Sequence, residues 1–371
     1  MKLLAACSPG EVRVAAHDGT GLVDFALWRP GAPDGVGDLH RGRIAARVPA
    51  MAGAFVRLDS GTDGFLPDSE GGAGLPEGSG LGVRISRAAQ GGKGPRLTAR
   101  LSDAERDLIG TGKPALLRRG PGTVERLAAL HPEAPVLLDD PGMAARLRPA
   151  LGDRIALVAA AFDDAVAAEV AALAEPVVDL PGGARLSVHP TPALTAIDVD
   201  LGSASAAQAA KGRAQMAANR GLLPALARQI RLRNLSGAIL VDLGGMAAAR
   251  RAKLAPDLAA ALAADPARPR LLGFTALGLA EILRPRVHPP LHELLAGPHA
   301  AGLAALRTAL EALLAHPGQR APALRCTPAI AGALQADGVA LDDWRRRAGA
   351  PISLRPDPSL PALAWVLEES P

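Results

Sequence analysis

Two apolar segments of the sequence end on acidic residues, and acids in such positions can do metal chemistry. The first, TPALTAIDVDLGSA at 191–204, carries Asp198 and Asp200, and the second, LSGAILVDLGGM at 235–246, carries Asp242. If both segments are strands of one sheet, the three carboxylates converge at one edge. Clustered carboxylates repel one another unless a cation lies between them, and Mg²⁺ prefers such oxygen ligands. A carboxylate-bound Mg²⁺ activates water and stabilises the charge that develops on a phosphodiester.

A plainer interpretation also fits these acids, because acids at strand ends often cap the helix or turn that follows. Spacing alone favours this capping role for Asp200. Asp198 and Asp242 differ because a strongly basic segment lies close to them, which suits a site where metal and arginine jointly hold phosphate. That segment, 211–253, has Asp242 as its one acid, and its basic residues are Lys211, Arg213, Arg220, Arg228, Arg231, Arg233, Arg250, Arg251 and Lys253.

Length and composition set the class of protein. The 371 residues predict two or three domains, at roughly 150 residues per domain. Hydrophobic residues make up 49%, which excludes a disordered chain. The net charge of +4 and the pI of about 9.6 are compatible with a polyanionic partner without requiring one. With five Phe, three Trp and no Tyr, any exposed Phe is unusually informative.

The cysteines indicate neither a disulfide framework nor a zinc site, because Cys7 and Cys326 are far apart and no CxxC occurs. The N-terminal MKLLAACSPG imitates a weak signal sequence, but the β-like stretch from Glu11 to Val14 follows at once and favours a first strand. No apolar run reaches the roughly 18 residues of a membrane span, so none is expected. The cytoplasm is the expected location.

Periodicity divides the chain into five stretches. Short strands joined by a turn occupy 1–36. Residues 37–100 are rich in Gly and β-branched residues in short alternating runs, which predicts a small antiparallel barrel. Helix-like and strand-like segments alternate over 113–180 and again over 181–295, which indicates α/β units. The last stretch, 300–371, begins with an Ala/Leu helix and predicts a small α/β region.

The acidic segments also carry a resemblance. ALTAIDVD at 193–200 and ARQIRLRNLSGAILVDL at 227–243 resemble the two hallmark motifs of the ribonuclease E/G family. In that family the first Asp of each motif holds the catalytic Mg²⁺, so the resemblance implies that Asp198 and Asp242 are the metal ligands. The long ordered run RQIRLRNLSG makes a chance similarity between the motifs improbable.

The resemblance extends to the predicted barrel. LHRGRIAARVPAMAGAFVRLDSGTDGFLP at 39–67 resembles the OB-fold RNA-binding domain that the family inserts near its N-terminus. Phe55 and Phe65 match the family positions whose rings stack on RNA bases, which suits single-stranded RNA because every base offers a π-face. From composition alone both rings would be assigned to the barrel interior. GGKGPRLT at 91–98 resembles a further family segment and makes Lys93 a candidate phosphate contact.

Several arginines are candidate RNA contacts. TALGLAEILRPR at 275–286 resembles the family's RxGLxExTRKR and implies that Arg284 and Arg286 are basic contacts near the active site. A solvated helix end explains these two residues equally well. In the other motif, the candidate phosphate contacts are Arg228, Arg231 and Arg233. A helix cannot point all three in one direction, so some of them must face elsewhere.

The sequence also departs from the family pattern. The CPxCxG zinc-link that follows the TRKR motif is absent, so no oligomer is expected through cysteine-bound zinc. The 5′-end sensor segment is missing between Ser102 and Pro114, so preference for 5′-monophosphorylated RNA is not expected. The motif positions also differ from the family pattern. Asp200 replaces an Asn in the first acidic motif, and Gly245 replaces the second Asp of the other. In the RxGLxExTRKR motif, Ala276, Leu283 and Pro285 replace the first Arg, the Thr and the Lys.

Together these observations predict an α/β multidomain fold. The family resemblance implies that an OB-fold barrel is inserted into a ribonuclease H-like subdomain (1–36 and 113–180), and that a deoxyribonuclease I-like catalytic α/β domain (181–295) and a small C-terminal region follow. The predicted function is a Mg²⁺-dependent endoribonuclease acting on single-stranded RNA in processing or decay, with Asp200 assisting Asp198 and Asp242.

Two further hypotheses stay open. An RNA-binding protein that has lost turnover on the same scaffold is favoured by Gly245 and Ala276, whereas Asp198 and Asp242 favour the enzyme. A purely structural partner protein would show no salt-sensitive RNA affinity. A homo-oligomer is possible in each case.

Overall fold

The computed structural model describes residues 1–59, 61–202, 211–316 and 321–368. Contacts group the chain into two units. The first, here called the main unit, comprises 1–33, 123–284 and 290–371, and the second, the barrel unit, comprises 34–122 and 285–289.

The chain begins with an antiparallel meander. Its strands are β1 (Lys2–Ser8), β2 (Glu11–His17) and β3 (Leu22–Trp28). The side chain of Asp18 closes the turn between the last two, because its Oδ1 accepts hydrogen bonds from the backbone N–H groups of Thr20 at 2.7 Å and Gly21 at 3.1 Å. The predictions of a first strand at the N-terminus and of a turn in this stretch are confirmed.

The barrel unit contains a closed five-stranded barrel. Its strand order is β5-β6-β8-β7-β4, and pairing of β4 with β5 closes it. Alternate residues such as Ile44, Val56, Leu66, Val83 and Leu97 fill the interior. The small barrel predicted over 37–100 is confirmed. The elements are β4 (Leu39–Val48), β5 (Gly53–Arg57), β6 (Asp63–Pro67), β7 (Gly80–Arg87), β8 (Arg96–Thr98), α1 (Asp103–Arg106) and β9 (Ala115–Arg118).

The next segment completes the first sheet. It contains α2 (Thr123–Leu130), β10 (Val136–Leu138), α3 (Pro141–Leu151), β11 (Ile155–Leu157) and α4 (Asp164–Ala172). β10 pairs parallel to β1 and β11 parallel to β10, which gives the order β11-β10-β1-β2-β3. Both faces of this sheet are buried, one packing on α2 and α3 and the other on α4, as expected for parallel strands joined by helical crossovers.

The second sheet of the main unit carries both acidic segments. Its six strands lie in the order β12-β13-β14-β15-β17-β16. α5 and α7 pack through leucine and isoleucine side chains on one face. The elements are β12 (Val177–Leu180), β13 (Ala184–Pro190), β14 (Thr195–Asp200), α5 (Lys211–Leu232), β15 (Gly237–Leu243), α6 (Ala248–Arg251), α7 (Ala255–Leu262), β16 (Arg270–Phe274) and β17 (Ala280–Arg284).

The C-terminal segment forms a small three-stranded sheet, in the order β19-β18-β20, that packs around the buried ring of Trp344. Arg307 joins this segment to the first sheet by an ion pair of 3.1 Å to the buried carboxylate of Glu11. Over the described ranges, no helix is long and apolar enough to cross a membrane. The elements are α8 (Leu291–Leu294), α9 (Gly297–Ala315), β18 (Ala323–Cys326), α10 (Pro328–Ala336), α11 (Gly338–Ala348), β19 (Ser353–Pro356) and β20 (Trp365–Glu368).

Glu105 of α1 links α1 to β7 and β9 of the barrel unit. Its buried carboxylate accepts hydrogen bonds from the backbone N–H of Ser102 at 3.0 Å, from Arg84 on β7 at 2.9 Å and from Arg118 on β9 at 2.9 Å. The hydrogen bond from the Ser102 backbone, helped by Arg84, lowers the pKa of Glu105 to about 2.

Replacing Glu105 by Gln is expected to destabilise the barrel unit by about 1–3 kcal/mol at neutral pH, because the charged acceptor of these hydrogen bonds is lost. Since the folded pKa is lowered, the stabilisation is complete above the ordinary pKa of 4.5 and disappears as the pH falls through about 2. The wild-type barrel should therefore lose more stability on acidification than the variant. Hydrogen exchange at the amides of β7 and β9 measures this difference.

The matched control is Asp103→Asn, which removes an exposed carboxylate from the same helix. Its protection at β7 and β9 should follow the wild type over the whole pH range. Identical acid sensitivity in wild type and Glu105→Gln would show that Glu105 does not carry this stability.

Candidate active site and candidate nucleic-acid interface

Asp198 and Asp242 are direct neighbours in the second sheet. β14 and β15 pair in parallel, and their register places Asp198 opposite Asp242. Parallel neighbours lie about 4.8 Å apart between strands. The prediction that the two acidic segments are adjacent strands is confirmed.

Both carboxylates lie on the open face of the sheet. Ile197 and Val199 of β14 point into the core with Val241 of β15, so the side chains between them point the other way. Asp198 is exposed, and the side chain of Asp242 is 45% exposed. Two acids are therefore presented side by side to solvent, backed by an apolar core.

The turn after Asp242 is built on glycine. A Cβ at Gly244 would lie 2.3 Å from the carbonyl oxygen of Val199, and Gly245 has φ +75°. Asn219 of α5, fully buried, donates a 3.0 Å hydrogen bond to the Gly244 carbonyl and holds the turn down. Because Asp at position 245 would be strained at this φ, the loss of the family's second Asp agrees with the local backbone.

Arg251 pairs with Asp242 and was not among the predicted site residues. Its Nη1 lies 2.5 Å from Oδ1 of Asp242, and its Nε donates a 2.8 Å hydrogen bond to the carbonyl of Met246. The guanidinium is largely buried, so its position is well defined. It offsets part of the repulsion between Asp242 and Asp198. Sequence spacing gave no signal for it, because the turn and the short α6 that return Arg251 to Asp242 follow no regular period.

Asp200 lies one step beyond Asp198 on the same open face, and its Oδ1 accepts a 2.9 Å hydrogen bond from the backbone N–H of Gly202. In the part of the chain that the structure describes, no group of three or more His, Cys, Asp or Glu side chains is placed to hold a metal. Asp200 therefore does not complete a cluster with Asp198 and Asp242, which corrects the expected convergence. Its hydrogen bond is of the capping kind that spacing alone favoured.

The two remaining carboxylates suit a divalent-cation site. Mg²⁺ keeps several waters and needs only one or two protein carboxylates when a phosphate supplies further oxygens. Among the described residues Asp198 makes no ion pair, and Arg251 contacts Oδ1 of Asp242 at 2.5 Å. A partner that fixes a ligating carboxylate in this way is a common feature of metal sites.

The three candidate arginines at the end of α5, Arg228, Arg231 and Arg233, are divided between structural and surface positions. Arg233 is buried and donates to the carbonyls of Ala172 and Glu175, and burial lowers its pKa to about 10. Arg231 forms a 2.7 Å ion pair with Asp24 of β3. Only Arg228 is exposed. The expected RNA contacts at Arg231 and Arg233 are thus corrected, because both guanidinium groups are already used inside the main unit.

These arginines also lie far along the helix from the acids. Asn219, which contacts the turn after Asp242, precedes Arg231 by twelve residues, or about 18 Å at roughly 1.5 Å per residue. The basic segment counted in the sequence is therefore not one basic surface around the carboxylates.

Arg284 is buried at the end of β17. Its side chain and that of Asp265 are 6% and 5% exposed, and they pair at 2.7 Å. The same guanidinium donates to Asn234 at 2.6 Å and to the carbonyl of Leu235 at 3.2 Å. Every side of the group is occupied by protein, which corrects its expected role as an RNA contact. Arg286 is exposed and belongs to the barrel unit.

Phe55 and Phe65 lie side by side on the outer face of the barrel. They are directly paired on β5 and β6, with ring centroids 5.7 Å apart in an edge-to-face arrangement. Their neighbours Ala54, Val56 and Leu66 fill the interior instead. Gly53 makes room for one ring, because a Cβ there would lie 2.6 Å from Cζ of Phe65. Both rings therefore lie on the outer face, as the resemblance favoured, and not in the barrel interior, but both are half-buried rather than fully exposed.

Lys93 is exposed at the base of a tight hairpin. Gln90 and Lys93 form a β-bridge across Gly91 and Gly92, whose φ angles are +56° and +72°. Two successive positive φ angles are the type I′ geometry that glycine permits. The hairpin projects the lysine from the same unit that carries the two rings.

The assignment of Arg284 to the protein interior and of Arg286 to the surface can be tested directly. Arg284→Gln is expected to lower the free energy of unfolding by about 3–5 kcal/mol, because it leaves Asp265 buried without its partner. Arg286→Gln should stay within about 0.5 kcal/mol of wild type, as for most surface changes. Thermal unfolding of the two full-length variants measures both effects. Equal stability of the two would contradict the buried pair.

Comparison with known proteins agrees with the motifs. Residues 143–287 match the model of the Ribonuclease E/G family. Ribonuclease E of a Nostoc species is 36% identical over 121 residues, which cover 32% of this chain and 18% of that protein. Ribonuclease E of Escherichia coli is 26% identical over an alignment covering 78% of this chain and 37% of that protein.

The chain thus spans between about a fifth and two fifths of the length of these relatives. The family match includes β14 and β15 with both Asp198 and Asp242, as well as α5 and the segment up to Val287. The match over 143–287 and the relatives named Ribonuclease E together support a protein of the ribonuclease E/G family.

Proposed function

We propose that this protein is a Mg²⁺-dependent endoribonuclease that cleaves single-stranded RNA in RNA processing or decay. One observation carries the proposal: Asp198 and Asp242 stand opposite each other on adjacent parallel strands of an open sheet face. Both are within the segment that matches the family. The relatives named Ribonuclease E support the same activity.

In this proposal each residue of the carboxylate site has a defined task. Asp198 and Asp242 hold a divalent cation, which when bound supplies an activated water and stabilisation of phosphodiester charge. Arg251 fixes the carboxylate of Asp242 through Oδ1 and keeps a positive charge at the edge of the site. The Gly244–Gly245 turn, to which Asn219 donates a hydrogen bond, ends β15 directly after the Asp242 site. Asp198 and Asp242 are the catalytic residues, and Arg251 is a positioning residue.

The barrel unit is proposed to hold the RNA strand. Phe55 and Phe65 offer two half-buried rings on the outer face of the barrel for unpaired bases, and Lys93 and Arg286 add positive charge on the same unit. Of Arg228, Arg231 and Arg233, only the exposed Arg228 stays a candidate contact. The finer fold assignment follows the family resemblance: a ribonuclease H-like subdomain around the first sheet and a deoxyribonuclease I-like catalytic domain around the second.

A second candidate function is an RNA-binding protein without turnover. The specific observation in its favour is the ion pair of Arg251 with Asp242, which places a guanidinium where it can compete with a metal. The described residues also contain no larger metal-binding group. The two candidates differ in cleavage and agree in binding.

Cleavage of a labelled A/U-rich single-stranded RNA tests the enzyme. Asp198→Asn and Asp242→Asn are each expected to reduce the Mg²⁺-dependent rate by at least about 100-fold, because several kcal/mol of metal-derived stabilisation is lost. The matched control is Asp179→Asn, an exposed acid of the same sheet that pairs with Arg185. It should cleave at the wild-type rate.

Each outcome assigns a function. RNA binding without cleavage by any variant would replace the enzyme with the binding protein. Equal cleavage by wild type and both active-site variants would contradict the carboxylate site itself.

Arg251→Gln separates the two roles of Arg251. If it positions Asp242, the Mg²⁺ concentration for half-maximal cleavage should rise about 10–100-fold, as for other partners of metal ligands. The exposed neighbour Arg250 provides the control Arg250→Gln, which should leave the Mg²⁺ dependence unchanged. A lower Mg²⁺ requirement in Arg251→Gln would instead show that the arginine obstructs the site.

A further inference from the structure

A line of four paired residues crosses the outer face of the barrel. Phe55 of β5 pairs with Phe65 of β6, Phe65 pairs with Arg96 of β8, and Arg96 pairs with Arg87 of β7. At roughly 4.8 Å per strand, the line is about 14 Å long. Two aromatic rings therefore continue directly into two guanidinium groups.

A β-bulge brings Arg87 into this line. Along β7, Val83 and Ile85 point into the barrel, so regular alternation would also turn Arg87 inward. The register shifts between Ile85 and Arg87, and Arg87 then stands opposite Arg96. Bulges often redirect a side chain next to a functional site.

Arg286 adds a third guanidinium to the line. The backbone N–H of Ala88 donates a 2.9 Å hydrogen bond to the carbonyl of Val287, which holds the 285–289 segment beside the end of β7. Burial, followed by the nearby charges of Arg96 and Arg286, lowers the pKa of Arg87. Arg87 thus lies close enough to both Arg96 and Arg286 to be repelled by each of them.

No acid of the described ranges forms an ion pair with any of these three side chains. Other arginines of the barrel are neutralised: Arg47 pairs with Asp68, and Arg57 pairs with Asp63. Like charges without a counter-charge cost stability. An anion bound between them would offset that cost.

We propose that Arg87, Arg96 and Arg286 form a phosphate-binding site for the backbone of a single RNA strand whose bases stack on Phe55 and Phe65. This inference rests on the proposed function and names the barrel surface that grips the substrate. Guanidinium groups suit the task because their planar forks bind phosphate oxygens in bidentate fashion. Stacking needs unpaired bases, so the same surface selects single strands over duplexes.

Binding of a fluorescent oligouridylate of about 12 nucleotides tests the site. Anisotropy is measured in EDTA, so that cleavage does not contribute, over a series of salt concentrations. Arg87→Gln and Arg96→Gln should each weaken binding about 5–10-fold and reduce the slope of log affinity against log salt by about 0.7. Arg106→Gln is the matched control, because Arg106 is exposed in the same unit and already pairs with Asp103. It should bind like wild type.

Arg96→Lys tests the geometry of the contact. It keeps the charge and should restore the salt slope while recovering only part of the affinity, because the fork is lost. Both Gln variants should be at least as thermally stable as wild type, since they relieve repulsion. Weaker binding combined with lower stability would assign the arginines to folding and overturn the site.

Two results separate this inference from the proposed function. Wild-type affinity and slope in both Gln variants, together with weakened binding by Phe55→Ala, would overturn the arginine site and leave RNA binding by the barrel intact. Absence of salt-sensitive binding by the wild type would overturn both. Equal affinity for a duplex of the same length would contradict the stacking of bases on the two rings.

Discussion

The in-register pairing of β14 with β15 is the constraint on which the candidate active site depends. It brings two carboxylates from residues 44 positions apart to neighbouring points on one sheet face, and their mutual repulsion must then be offset. The positive charge of Arg251, which pairs with Asp242, offsets part of this repulsion. The core beneath the pair, formed by α5 and α7 on the opposite face, makes the register costly to change, because a one-residue slip of either strand would turn its acid into that core.

The arginines show how little a count of charges says about a nucleic-acid surface. Arg231, Arg233 and Arg284 stand in motifs that resemble RNA-contacting segments. Each guanidinium group already binds a carboxylate or a backbone carbonyl within the main unit. Their guanidinium groups join helix, strand and loop, a task that suits a planar group with five donors. Arg87 and Arg96 lie in no basic run and are left without a carboxylate. The first three guanidinium groups are already bound within the protein, whereas those of Arg87 and Arg96 have no carboxylate partner among the described residues.

The barrel illustrates how far local pattern can be followed. Alternation along β5 and β6 puts Phe55 and Phe65 on the same side as each other and opposite the leucine and valine residues. Alternation alone could not say which side was interior, and the resemblance supplied the choice. Alternation along β7 would have placed Arg87 in the interior, because a bulge leaves no mark in residue types.

The sequence by itself determined the strands that end on Asp198 and Asp242, the barrel, and the two outward rings, because each follows from a local period or a specific motif. Tertiary structure decided the rest. Asp200 stays outside any metal cluster, because strand geometry sets it one step along from Asp198. Arg251 reaches Asp242 through a glycine turn and a short helix, and Arg87 reaches Arg96 through a bulge. Neither connection follows a regular period, so the contacts that they make depend on the folded structure.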